Sequence, residues 1–164
     1  MEQGRSFCPA VFNQGKRLND NWIEQSVFAL DFDSGVQPEV IIERCKELDL
    51  IPNVVYTSFS DTLELRKFRV VFFFNATIKV KEKAKELQLT LMELFPEVDI
   101  ACKDFARLFF ASKEILLVEE ELNDIFKVAK YVLERREKQS TNTLRAMPLQ
   151  KVEMRDALQT KSSM

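Results

Sequence analysis

Apolar residues alternate along the chain between short continuous runs and stripes spaced as on a helix face. Val27-Phe28-Ala29-Leu30 is a nearly unbroken apolar run, suited to a strand buried on both faces. Asp31-Phe32-Asp33-Ser34-Gly35 closes it with turn chemistry. Pro38 then stands where a helix can start, and Ile41, Cys45 and Leu48 recur at i, i+4, i+7 as one helical stripe. Residues 52–59 and 68–74 are β-branched and aromatic, which predicts two strands, and the polar residues 60–67 between them make a long hairpin loop. Asn75-Ala76-Thr77 precedes a predicted helix with Val80, Ala84, Leu87 and Leu91 on one face and Pro96 just past its end. Residues 107–111 form another short apolar run, a predicted last strand. Residues 115–136 read as a final amphipathic helix with Leu122, Phe126, Ala129 and Leu133 on its buried side.

Residues 1–26 are polar and irregular, so the predicted order is strand, helix, two hairpin strands, helix, strand. An α+β fold follows, with the βαββαβ order of the split-βαβ arrangement, an RRM/ferredoxin-like core. An N-terminal extension and a C-terminal helix complete it. In such a core a four-stranded antiparallel sheet carries two helices on one face. The fourteen Phe, several of them in strands, predict that the other face is covered as well. Residues 1–136 are the expected domain. Residues 137–164, rich in Ser, Thr and Gln and without periodicity, are an expected flexible basic tail.

Composition narrows the chemistry. The 164 residues with 46% hydrophobic content support one domain with a real core. The longest apolar run, residues 70–74, is far too short to span a membrane, and residues 1–6 lack the apolar core of a signal peptide. A cytoplasmic protein with no membrane partner is the expectation. Cys8, Cys45 and Cys102 are odd in number, widely spaced and free of CxxC pairs, which argues against disulfides and zinc. Histidine is absent, and with it go Ser-His-Asp and Cys-His triads, HExxH sites and any imidazole base. A metal would need oxygen ligands, which points to Mg²⁺ or Mn²⁺. The net charge is −2; from Glu134 onward seven Lys/Arg face four Asp/Glu, a net +3 that leaves −5 for residues 1–133. So mild a basic excess is the ordinary state of a solvated tail.

Three segments carry candidate chemistry. Strand alternation puts Asp31 and Asp33 on one face, about 6–7 Å apart, where a divalent cation would relieve their repulsion. The same residues also suit a plain turn, with Asp31 merely ending a strand. The second segment is Tyr56-Thr57-Ser58-Phe59-Ser60-Asp61 with Arg66-Lys67-Phe68-Arg69. Its hydroxyls and cations suit phosphate, although an exposed polar hairpin loop has the same composition. The third is Val98-Asp99-Ile100-Ala101-Cys102-Lys103-Asp104-Phe105-Ala106-Arg107, in which Asp99 or Asp104 could supply a third ligand or could close a loop.

Together the three resemble the archaeo-eukaryotic primase superfamily, in particular the small primase-polymerase domains of phages and plasmids. The likeness rests on Ala29-Leu30-Asp31-Phe32-Asp33, on Val98-Asp99 followed by Arg107-Leu108-Phe109-Phe110, and on residues 56–75 with Gly15-Lys16-Arg17 ahead. It spans roughly residues 7–115. The resemblance implies a Mg²⁺- or Mn²⁺-dependent nucleotidyltransferase that adds nucleotides to a 3′-hydroxyl in the replication of a mobile element. By carry-over, Asp31, Asp33 and Asp99 are the catalytic metal ligands, with Asp104 competing for the third place. Ser58, Ser60, Arg69 and Arg107 would bind the nucleotide, and Lys16, Arg17 and Lys67 the nucleic acid. Nucleoside triphosphates, a single-stranded DNA template and a replicative helicase are the implied partners.

The chain departs from that pattern at the middle motif, where the family carries a histidine against the incoming phosphates. Ser60 or Asp61 stands there, and a carboxylate would repel a triphosphate. A catalytically degenerate member, acting as a nucleic-acid-binding replication accessory, is therefore the alternative. A third expectation is an RNA-recognition-type module stacking bases on Tyr56, Phe72 and Phe74, which requires those rings to be exposed.

Overall fold

The computed structural model describes residues 6–110 and 114–146, with side chains as far as 142. By its contacts the chain divides into two units, Met1–Lys130 and Tyr131–Met164. The strands are β1 (Ala10–Phe12), β2 (Trp22–Phe32), β3 (Val54–Thr57), β4 (Phe68–Ile78) and β5 (Ile115–Val118). The helices are α1 (Pro38–Glu47), α2 (Lys81–Leu94) and α3 (Ile125–Ala146). The strands form one sheet in the order β1-β2-β4-β3-β5, and every neighbouring pair is antiparallel.

The core follows from alternation. Phe28, Leu30 and Phe32 on β2 pair with Phe72, Val70 and Phe68 on β4, and all six side chains are fully buried. Phe32 stacks on Phe68 at 5.0 Å, and Phe95, just past α2, meets both Phe32 and Phe72. This is the helix-covered face. Pro38 opens α1 and Ile41 and Cys45 are buried, as the stripe predicts. Arg44 of α1 lies over the Phe95 ring and grips Glu97 with two hydrogen bonds of 2.6 and 2.7 Å.

An α+β architecture is present, and the central order β2-β4-β3 is that of a split βαβ unit. The edges differ from expectation. The predicted strand over residues 107–111 does not form: Phe109 makes only an isolated bridge to Phe7, and Ala111 lies outside the described residues. The last strand is instead β5, from residues assigned to the final helix, and it pairs with β3 rather than β2. A four-residue apolar run does not tell strand from helix by periodicity. The place beside β2 goes to β1, within a segment expected to be irregular.

Two helix starts are also later than predicted. β4 continues through Asn75-Ala76-Thr77 to Ile78, so α2 begins at Lys81 and leaves Val80 exposed. Helix α3 begins only at Ile125, where Asp124 Oδ1 accepts the Phe126 N–H at 3.0 Å and Asn75 Oδ1 that of Ile125. Its predicted buried stripe is not observed: Leu122, Phe126, Ala129 and Leu133 are exposed, and Val128 is the buried residue. Leu122 lies before the helix, so the apolar spacing that included it does not mark the packed face. The helix runs to Ala146, beyond the expected end at Arg136, and residues 147–164 of the expected tail lie outside the described residues. No described helix is long and apolar enough to cross a membrane.

A buried amide pair joins β3, β4 and the segment before α3. Asn123 Nδ2 donates to the carbonyls of Ile51 and Phe73 and to Asn53 Oδ1, while its Oδ1 accepts the Ile51 N–H at 2.8 Å. Asn53 in turn accepts from the Phe73 N–H and donates to the carbonyls of Glu119 and Glu121. With these bonds made, two amides can be buried without an orphaned polar atom.

Candidate functional site

The face of the sheet opposite the helices is set by register. Val27 pairs with Phe73, Ala29 with Val71 and Asp31 with Arg69, while Val54 and Tyr56 of β3 pair with Val71 and Arg69. Directly opposed residues share a face, so Asp31, Arg69 and Tyr56 form one transverse row above an apolar floor. The N-terminal residues Phe7, Cys8 and Pro9 lie over that floor and leave an open groove of about 290 Å³ between them and Val27, Val54, Tyr56, Val71 and Phe73.

Beyond Gln25, strand β2 has no ladder partner on its β1 side among the described residues. The segment around Asp99 fills the gap: the Asp99 N–H donates to the Asp31 carbonyl at 2.8 Å, and the Asp31 N–H meets Cys102 Sγ at 3.2 Å. Burial pushes the Cys102 thiol up to about 11, against the lowering effect of that N–H. Because both backbone groups of Asp31 point this way, Asp31 and Arg69 are a non-hydrogen-bonded pair, in which side chains approach most closely.

The Asp99 side chain caps the turn Ile100–Lys103 by accepting the Ala101 N–H at 3.0 Å. The turn carries the chain on to Arg107, whose guanidinium spans two acids. Its Nη2 donates to Asp31 Oδ2 at 2.6 Å and its Nη1 to Asp99 Oδ2 at 2.7 Å. Arg69 adds an ion-pair contact of 3.3 Å from Nε to Asp31 Oδ1, donates to the Phe110 carbonyl at 3.0 Å, and lies over the Tyr56 ring. Burial pushes the Asp99 carboxyl up, but the Ala101 N–H and Arg107 together outweigh it and hold the group below the usual range. Burial likewise raises Tyr56, with Arg69 opposing. Two acids and two guanidiniums make the cluster neutral.

Not every residue expected at the site belongs to it. Asp33 lies past the end of β2 and is exposed, so it does not share the strand alternation that was to pair it with Asp31. Asp104 is a loop-closing residue: it accepts the Ala106 N–H at 3.0 Å and the Asn19 side chain at 2.8 Å. Ser58 and Ser60 sit with their hydroxyls 3.2 Å apart in a loop organised by Asp61, which accepts Arg66 Nε at 3.0 Å and the Lys67 N–H at 2.6 Å. Arg17 donates to the Ala106 carbonyl, while Lys16 is exposed. Tyr56, Phe72 and Phe74 are buried, which removes the base-stacking expectation.

Two residues quoted in the candidate segments were given no part in an acid–arginine cluster. Tyr56 enters through strand register, and Cys102 through a contact with a residue far away in sequence. Neither leaves a local signal.

Among the described residues no three acidic, Cys or His side chains gather as a metal site. Asp31 and Asp99 do converge, on one guanidinium, and that guanidinium is a stand-in cation. Two hard carboxylates in this relation suit Mg²⁺ or Mn²⁺, which complete their shells with water or phosphate oxygens. The pair fits such an ion as two of its ligands.

No family model and no curated protein matches the chain. Among solved structures, the AEP domain of the primase-polymerase (PrimPol) of cyanophage S-2L is similar, with a TM-score of 0.56 and 15% sequence identity over 75% of this chain and 68% of that one. At that identity the likeness is one of fold alone: this chain is similar in fold to that phage domain.

Proposed function

We propose that this chain is a primase-polymerase-like nucleotidyltransferase domain, which transfers nucleotides to a 3′-hydroxyl on a single-stranded DNA template. One observation carries the reading: Asp31 and Asp99, distant in sequence, converge at the end of the open sheet face within a primase-polymerase fold. In this reading the two carboxylates hold Mg²⁺ or Mn²⁺. When bound, the ion supplies Lewis-acid neutralisation of phosphate oxygens. Arg69 and Arg107 offer forked donors to the nucleotide's phosphates, with Ser58 and Ser60 as hydroxyl donors. Asp33, two residues past Asp31, would be the further acid offered to the ion. Lys16, Arg17 and Lys67 would steer the nucleic acid, and replication of a mobile element alongside a helicase is the setting. Template-dependent incorporation of nucleotides with Mn²⁺ or Mg²⁺ tests the proposal, and no incorporation by the wild type across a range of templates overturns it.

A second reading has its own support. Arg107 fills the space between the acids, and Asp61, in the place of the family's histidine, is tied to Arg66 and Lys67. Both features suit a degenerate member that binds nucleic acid without catalysis. Calorimetry separates the two: DNA binding without binding of Mn²⁺ or nucleotide selects the accessory.

A further inference from the structure

The carboxylates of Asp31 and Asp99 already hold a cation, and it belongs to the chain. Arg107 reaches both through charge-assisted bonds of 2.6 and 2.7 Å, the short and strong end of N–H···O geometry. Its anchorage is specific. The Arg107 N–H donates to the Asp104 carbonyl at 3.1 Å, Asp104 is itself held by Asn19, and the guanidinium lies 5.7 Å over the Phe109 ring.

The remaining acceptors are engaged as well. Asp99 Oδ1 is used by the Ala101 N–H, and Asp31 Oδ1 faces Arg69. Arg107 takes one oxygen from each acid, Asp31 Oδ2 and Asp99 Oδ2. A divalent ion held by these two acids would draw on the same carboxylates. Two cations crowded into a half-buried gap repel strongly, so both cannot be seated there together.

We propose that Arg107 is a built-in competitor for the cation site: loading a divalent ion between Asp31 and Asp99 and releasing the guanidinium are one event. The proposal rests on the metal-dependent reading given above. It deepens that reading by making the metal-free site a closed, neutral state that holds itself shut. A freed guanidinium then brings its full charge to the open face.

Mn²⁺ binding followed by electron paramagnetic resonance, on the full chain, tests this with the wild type, Arg107→Gln and Arg69→Gln. Arg107→Gln is expected to bind Mn²⁺ at least about tenfold more tightly than wild type, the equivalent of one charge-assisted hydrogen bond no longer broken on loading. Arg69→Gln, whose contact with Asp31 is longer and poorly aligned, gains less. Equal gains in the two variants would assign the effect to net charge and overturn the proposal. So would unchanged or weaker binding in Arg107→Gln, while metal binding by the wild type would leave the nucleotidyl-transfer reading standing. Absence of Mn²⁺ binding in all three overturns both.

A measurement on the wild type guards against a misfolded variant. The Arg107 Nε–Hε resonance should shift and exchange faster with solvent as Mg²⁺ is added. A resonance that does not move at saturating Mg²⁺ overturns the proposal.

Discussion

The backbone N–H of Asp99 donates to the carbonyl of Asp31 at 2.8 Å, so the two acids of the site are joined through the main chain before their side chains meet Arg107. This relationship separates docking from chemistry. In Asp31→Ala the Asp99 segment keeps its main-chain bond and its Cys102 contact, and only the carboxylate is lost. Nucleotide incorporation should disappear in a primer-extension assay, while urea unfolding registers a loss of about 1–3 kcal/mol for the unpaired donor left on Arg107. Retained incorporation would remove Asp31 from the catalytic role.

The Asn53–Asn123 pair predicts a larger effect at a place remote from chemistry. Asn123→Ala takes the side-chain partner from both the Ile51 N–H and the Ile51 carbonyl, while the Phe73 carbonyl keeps the residue-123 backbone N–H. A loss of about 2–4 kcal/mol is expected from the unsatisfied groups together. The double variant with Asn53→Ala should fall short of the sum of the singles, because the residues share one network. Equilibrium unfolding of the three variants checks both points.

Phe32→Ala removes a ring that stacks on Phe68 and meets Phe95 edge-on. The cavity and lost transfer energy should cost about 3–5 kcal/mol. Against a total stability of about 5–15 kcal/mol, that leaves a protein close to unfolding at 37 °C, visible as a lowered Tm.

Acid should destabilise the fold through Glu97 and Asp99. The two hydrogen bonds from Arg44 hold Glu97 below its ordinary 4.5, despite burial, and Asp99 sits below 3.8. With folded values below unfolded ones, the unfolded chain takes up protons first as pH falls. The stabilisation is therefore complete above about pH 4.5 and is lost as pH drops through the folded values. Tm measured from pH 6 to pH 3 should fall most steeply below 4.5, and Glu97→Gln should flatten that slope.

The loop carrying Ser58 and Ser60 depends on Asp61. Asp61→Ala frees the Lys67 N–H and Arg66, and should cost about 1–3 kcal/mol in urea unfolding. Ser60→His, at an exposed position, should leave stability within about 0.5 kcal/mol of wild type. If the loop faces the nucleotide, the same change should tighten nucleotide binding in calorimetry.

Much of the fold was legible in the chain because it is local. The apolar run before Asp31, Pro38 at the start of α1, the Ile41 and Cys45 stripe and the strand-forming residues 68–74 each report on their immediate neighbours, and each falls in an element of the expected type, although β2 starts earlier, at Trp22, and β4 ends later, at Ile78. The errors fell where local signals are ambiguous. Residues 115–118 are too short an apolar run to separate strand from helix, and the Asn123-Asp124 start signal of α3 went unread behind them. The start of α2 was misplaced because β4 runs on through residues with turn chemistry.

Sequence alone determined the chemical means: no histidine, acids at 31 and 99, arginines at 69 and 107, and enough aromatic residues for one dense core. Tertiary structure decided which of these meet. Antiparallel register set Asp31 beside Arg69 and Tyr56, and the gap beside β2 drew in Asp99 and Cys102. The turn that follows laid Arg107 across both acids and left Asp33 outside. Such pairings depend on hydrogen-bond ladders between segments far apart in the chain, where a one-residue slip would turn every side chain to the opposite face. No local pattern encodes that choice, because the energy that selects it comes from burying the whole sheet at once.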